Sequence, residues 1–160
     1  MSAAAPRVVL GVAGASGAAL ALTVARQLHA LGAEVDLVAS NAARRTLADE
    51  CGPEAFNQLE ALCSRHHDIA NVGASIASGS VPVAGMIVAP CSMRSLAAIG
   101  HGLDDNLMTR AAGVQLKERR PLVLLPREAP LTLAHLRNMT SVTELGGILL
   151  PPVPAFYLKP

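Results

Sequence analysis

The chain has 160 residues, enough for one domain with one sizeable core. Its 13 Lys and Arg against 12 Asp and Glu leave a net charge of +1, which excludes the basic field of a nucleic-acid-binding surface. Half of it is apolar, yet it holds only two Phe, one Tyr and no Trp, so the core must be built from Ala, Val, Leu and Ile, a mix suited to helices on a buried parallel sheet.

Residues 7–12 (RVVLGV) read as a buried strand, Gly14-Ala15-Ser16-Gly17 as a turn, and 18–31 as a helix closed by Gly32. The apolar stretch 7–25 has the flavour of a secretory leader. Only Arg7 stands ahead of it, however, and Gly11, Gly14 and Gly17 interrupt it, so strand, loop and helix fit better. Residues 34–39 (EVDLVA) form a second strand, and Ser40-Asn41 cap a helix to about Glu50. From 51 to 79 the signal is mixed, with helix expected at 54–64. A third strand, 85–89 (GMIVA), is expected to stop at Pro90. Ser92 opens a helix to Ile99, and Asp105 is expected to cap another from Asn106 to Arg119. Residues 122–125 (LVLL) make a fourth strand, 132–141 a helix and 147–150 (GILL) a fifth strand; Pro151, Pro152 and Pro154 then forbid ladder pairing and give an extended tail.

Strands alternating with helices predict an α/β fold: a Rossmann-like or flavodoxin-like, mostly parallel sheet with helices on both faces, as one domain over 1–160. No apolar run reaches the roughly 18 residues needed to span a bilayer, so no membrane segment is expected. The three cysteines, Cys51, Cys63 and Cys91, are odd in number and form no CxxC pair. That argues against a disulfide framework or zinc site and fits a reducing, cytoplasmic compartment.

Ligands of such sheets bind beyond the carboxyl ends of the strands, and four segments stand there. Gly14-Ala15-Ser16-Gly17 lets a backbone approach a ligand, and the helix after it offers free N–H groups to an anion; it also reads as a tight strand–helix turn. Its spacing is not GxGxxG, so the dinucleotide fingerprint fails. Ser40-Asn41 alone reads best as a plain helix cap. Ser92-Met93-Arg94-Ser95 puts two hydroxyls and a cation directly after a buried strand, more than a cap requires, while Cys91 before it reads as a buried thiol. Arg127-Glu128 sets a cation beside a carboxylate, suited to anion binding with proton transfer or to an exposed ion pair. Lys117-Glu118-Arg119-Arg120 reads as a solvated helix end, and His66-His67 as a loop pair without metal spacing.

Nine segments in order carry a family resemblance: 12–18 (VAGASGA), 40–43 (SNAA), 74–80 (ASIASGS), 90–93 (PCSM), 107–111 (LMTRA), 116–122 (LKERRPL), 127–131 (REAPL), 135–139 (HLRNM) and 151–157 (PPVPAFY). Together, from about Arg7 to Pro160, they resemble the UbiX-type flavin prenyltransferases. The resemblance implies that FMN and dimethylallyl phosphate bind, and that the five-carbon unit joins N5 and C6 of reduced FMN without a metal. The prenylated FMN then serves a UbiD-type decarboxylase. It also implies a large homo-oligomer, a dodecamer.

Carried over by motif, Gly14, Ala15, Ser16, Ser40, Ser92, Met93, Arg94, Ser95 and Arg127 would contact FMN. Tyr157, Lys117 and Glu128, with Arg110 as a further candidate, would sit at the prenyl phosphate, and Glu128, Lys117, Tyr157 and Ser16 would carry the chemistry. Arg94-Ser95 stand where the family has Lys then Thr, which keeps a cation and a hydroxyl. Family members continue past the position of Pro160 for about another helix, which brings a second cation to the donor. Without it donor binding is expected to weaken by about 1.5–3 kcal/mol. Two alternatives share the fold: an FMN-dependent decarboxylase of the cysteine-decarboxylase type, which relies on a catalytic His, and a non-catalytic FMN carrier.

Overall fold

The computed structural model describes residues 4–158. Its elements run β1 (Arg7–Val12), α1 (Ala19–Ala30), β2 (Glu34–Ala39), α2 (Asn41–Cys51), α3 (Ala55–Ala61), β3 (Arg65–His67), a 3-10 turn (Ser75–Ala77), β4 (Gly85–Cys91), α4 (Met93–Gly100), α5 (Leu107–Lys117), β5 (Leu122–Pro126), α6 (Leu133–Glu144), β6 (Ile148–Leu149) and a 3-10 turn (Phe156–Leu158). The six strands form one sheet in the order β3-β2-β1-β4-β5-β6, with every neighbouring pair parallel. This is the α/β architecture expected, with one strand more than the five read from the sequence.

Strict alternation along the strands builds two aliphatic cores. Leu10, Val12, Leu37 and Ala39 face α1, α2 and α3 through Leu22, Ala25, Leu47 and Leu59. Val9, Val38, Met86, Val88 and Leu124 face α4, α5 and α6 through Leu96, Ile99, Leu107, Met108 and Val142. Burial on both sides is what lets continuous apolar runs serve as central strands. None of the described helices is long and apolar enough to cross a membrane.

Two expectations need correction. The third predicted strand does not end at Pro90: β4 continues to Cys91, and its register with β5 shifts between Val88 and Cys91. Proline lacks a donor, so the ladder must skip there, while the Pro90 carbonyl still accepts the Ala13 N–H at 3.1 Å. His66-His67 is no loop pair but lies in β3, whose residues Arg65-His66-His67 carry no strand pattern. The strand is anchored by a buried carboxylate instead. Asp36 on β2, fully buried, accepts two hydrogen bonds from Arg7 at 2.5 and 2.9 Å and contacts His67 Nε2 at 2.7 Å. Arg7 also donates to the Ser75 hydroxyl at 3.0 Å, tying the 3-10 turn to the same charge.

The chain winds from β1 outward to β2 and β3, then crosses back to β4 on the other flank of β1. That reversal opens a crevice at the carboxyl ends of β1 and β4, the place where ligands of open α/β sheets bind.

Candidate functional site

A cavity of about 390 Å³ occupies this crevice, within the ~300–1,000 Å³ usual for small-molecule sites. Three of its lining residues are helix N-caps. The Ser40 hydroxyl accepts the Ala43 N–H at 3.1 Å and opens α2, Ser92 accepts the Ser95 N–H at 3.1 Å and opens α4, and the Asn106 side chain accepts the Thr109 N–H at 2.9 Å and opens α5. Each N-terminus carries the positive end of a helix dipole and backbone N–H groups without helical partners. Arg94, also on the wall, adds a full cation, and the buried Ser95 accepts a hydrogen bond from the Ser92 hydroxyl at 3.1 Å. Capping and ligand binding are thus not rival readings of Ser40 and Ser92: a capping serine stands at the helix mouth, where an anion would lie.

The structure brings Gly14, Ser40, Ser92, Arg94 and Ser95 together on one wall. Met93 is the first residue of α4 and packs half-buried against the core beside them. Asn106, Met108 and Ala42 complete the lining. Asn106 is the true cap of α5, with Thr109 closing a capping box; Asp105, expected in that role, instead pairs with Arg94. The clue available was the Asn-x-x-Thr spacing.

The loop after β1 behaves differently from expectation. The N–H groups of Gly17 and Ala18, at the start of α1, both donate to one Glu50 oxygen, each at 2.8 Å. The anion at this helix end is therefore the protein's own carboxylate, contributed by α2. The Ser16 hydroxyl and the Ala18 N–H hold the Glu50 carboxyl below its ordinary range, with smaller help from Gly17 and Arg127. Gly14 is demanded by packing: a Cβ there would stand 2.4 Å from that of Ala42. Gly17 has φ +100°, and a Cβ on it would lie 3.1 Å from Arg127 Cδ, which shows Arg127 reaching from the end of β5 across to this loop. Ala15 and Ser16 sit in the loop between these contacts, with Ser16 exposed. Glu50 escaped the sequence reading because it lies some thirty positions from its partners, at an unremarkable helix end.

The donor-side residues do not converge within one chain. Lys117 ends α5 and pairs with Glu118, at the amino edge of the sheet, where Pro121 accepts the Met86 N–H and Arg120 donates to the Gly79 and Val81 carbonyls. Arg127 and Glu128 follow the other end of β5, whose five residues rise about 3.3 Å each, so roughly 16 Å of sheet separates Lys117 from them. Arg110, in the first turn of α5, pairs with Asp104 at 3.0 Å and donates to the Ala77 carbonyl at 3.2 Å. It shares a shallow cavity of about 410 Å³ with Lys117, not the crevice. Glu128 is exposed and accepts only the Ala129 N–H, at 3.1 Å. Tyr157 lies in the last 3-10 turn, 84% exposed, beside the equally bare Phe156. The expected grouping of Lys117, Arg110, Glu128 and Tyr157 at one phosphate is thus not met inside a single chain.

Cys91 is fully buried and its thiol is pushed up to about 12 by burial, so it offers no nucleophile. Among the described residues no cluster of His, Cys, Asp and Glu gathers in a metal-binding arrangement.

Residues 2–155 match the family model described as Flavoprotein. The chain is 52% identical over 154 residues to the flavin prenyltransferase UbiX of Thauera aromatica, covering 96% of this chain and 79% of that protein. This chain belongs to the UbiX-type flavin prenyltransferases. The crystal structure of AnUbiX in complex with FMN and dimethylallyl pyrophosphate superposes with a TM-score of 0.94 at 45% identity, covering 98% of this chain and 82% of that one. A dodecameric FMN-dependent UbiX-like decarboxylase from Escherichia coli O157:H7 gives 0.92 at 42% identity, covering 96% and 84%. Among the described residues, no histidine lines the crevice of this UbiX-type chain. His66 pairs with Glu60, His67 with Asp36 and His101 with Asn138.

Proposed function

We propose that this chain transfers the dimethylallyl group of dimethylallyl phosphate to N5 and C6 of reduced FMN, as a cytoplasmic homo-oligomer whose product serves a UbiD-type decarboxylase. The observation that carries this is the meeting of three helix N-termini, three serine hydroxyls and the Arg94 cation around one cavity. That donor set fits a phosphate dianion, so Ser40, Ser92, Arg94 and Ser95 would hold the FMN phosphate. Gly14, Ala15, Ser16, Met93 and Arg127, along the same edge of the sheet, remain for the ring system.

Reduced FMN, when bound, would supply electron pairs at N5 and C6: the bond to N5 would replace the donor's C–O bond, whose pair leaves with the phosphate, and the bond to C6 would form by addition to the donor's double bond, whose middle carbon takes up a proton. The residues then have distinct tasks. Cations and the Tyr157 hydroxyl stabilise the departing phosphate in place of a metal. Glu128 would take the proton given up at C6 and return one to the middle carbon of the donor's allyl unit, while the proton lost from N5 goes to the departing phosphate. Aliphatic walls keep water from the allylic carbon.

Since Lys117 lies at the opposite edge of the sheet from Glu128, this reading has Lys117, and Arg110 that shares a cavity with it, act in the site of a neighbouring copy. The exposed Leu133, Leu136, Leu150, Val153, Phe156 and Tyr157 give the chain apolar surface for such an assembly. Two measurements test the proposal. Protein incubated anaerobically with FMN, dimethylallyl phosphate and dithionite should yield flavin heavier by one five-carbon unit on mass spectrometry; unaltered FMN would refute the activity. Lys117→Ala and Glu128→Gln proteins, each inactive alone, should regain activity when unfolded and refolded together, because mixed oligomers contain sites with both residues intact. Failure of refolded, correctly sized mixtures to recover activity would place both residues in one chain's site.

A further inference from the structure

The loop between α4 and α5 carries two adjacent acids, and each grips a different arginine. Asp105 binds Arg94, on the crevice wall, and accepts the Thr109 hydroxyl at 3.3 Å. Thr109 is buried and belongs to the capping box of α5, so the Asp105 carboxylate is itself anchored to a fixed helix end. Asp104 binds Arg110 at 3.0 Å and lies over Gly113, where a Cβ would stand 2.9 Å from its oxygen. Arg110 is held from the other side by the Ala77 carbonyl.

We infer that the Asp104-Asp105 dipeptide is a positioning element for two phosphate-binding cations, Asp105 aiming Arg94 at the flavin phosphate and Asp104 aiming Arg110 at the donor phosphate. This rests on the flavin prenyltransferase reading above. The physical case is preorganisation. A half-exposed arginine samples many rotamers, and fixing it before the ligand arrives removes that ordering cost from binding. Asp105 engages one guanidinium nitrogen, and the fork has five N–H donors, so most remain for a phosphate. A carboxylate near a phosphate also repels it, but both side chains are open to solvent, where that repulsion is screened. Preorganisation therefore wins.

The test compares FMN with riboflavin, which lacks the phosphate, by flavin-fluorescence titration of the purified protein. Asp105→Asn should weaken FMN binding by roughly threefold to tenfold and leave riboflavin unmoved. In an Arg94→Met background the same change should have no effect on FMN. Asp104→Asn should raise the donor KM by a similar factor with FMN affinity unchanged, and Gly113→Ala, which displaces Asp104 without altering either charge, should reproduce it. Equal losses for FMN and riboflavin, unchanged or tighter FMN binding in Asp105→Asn, or an unmoved donor KM in Asp104→Asn would overturn the inference. Failure of the unmutated protein to take up FMN at all would instead refute the underlying function.

Discussion

Glu128→Gln should keep FMN bound and lower prenyl transfer by roughly 10²–10⁴-fold, the usual worth of a general acid–base group. The substitution is close to isosteric, and the single contact Glu128 makes, acceptance of the Ala129 N–H at 3.1 Å, is one that a glutamine oxygen also makes. Glu128 is not among the residues lining the crevice proposed for FMN, so stability and FMN affinity have no reason to move. Only the capacity to take up and release a proton is lost. The measurement pairs a fluorescence titration with FMN against chromatographic quantitation of prenylated flavin. A mutant with the unmutated rate would reduce Glu128 to a surface residue beside Arg127, and a mutant that lost FMN would assign it to flavin binding instead.

What was legible in the chain follows from what local patterns encode. The apolar runs of β1, β2, β4 and β5 declare buried strands because both faces of a parallel sheet are covered. Ser40 and Ser92 announce helix starts because capping is chemistry between residues three apart. Those same local signals locate one wall of the crevice, since strand ends and helix mouths meet there. The motif resemblance added residues that no local pattern singled out, such as Tyr157.

What was not legible depends on residues distant in the chain. β3 has no strand composition and exists because Asp36, buried on the neighbouring strand, needs Arg7 and His67 as partners. Glu50 fills the helix end that the loop's small residues seemed to reserve for a ligand, a relation across 33 positions. The sorting of Lys117 and Glu128 to opposite edges of the sheet follows from the direction of α5, which descends from the crevice as β5 climbs back. A motif resemblance implies that two residues serve one reaction; it does not say whether one copy of the chain supplies both.

Asp36→Ala should destabilise the fold by about 3–5 kcal/mol, the usual cost of removing one partner from a buried ion pair, against a total of about 5–15 kcal/mol for such a domain. Asp36 is fully buried, and its loss leaves the part-buried Arg7 guanidinium with two donors unmet. Burial alone would raise the Asp36 carboxyl above its ordinary range. The hydrogen bonds from Arg7 and His67, with their charges, outweigh it and hold the carboxyl below that range. A carboxyl depressed in the folded state lends stability that is complete above its unfolded pKa of about 3.9 and fades as pH falls through the folded value. The melting temperature of the unmutated protein should therefore exceed that of Asp36→Asn by a steady margin near neutrality, and the two curves should converge as the pH drops below about 4. Thermal melts of both proteins from pH 7 to pH 3 measure this, and equal stability at pH 7 would show that the buried charge is dispensable. The effect should also reach the donor side. Arg7 ties Ser75 to Asp36, and the same 3-10 turn presents the Ala77 carbonyl that holds Arg110. A folded Asp36→Asn protein should consequently show a raised donor KM with little change in FMN affinity, because the flavin crevice lies beyond the far ends of the strands that Asp36 joins.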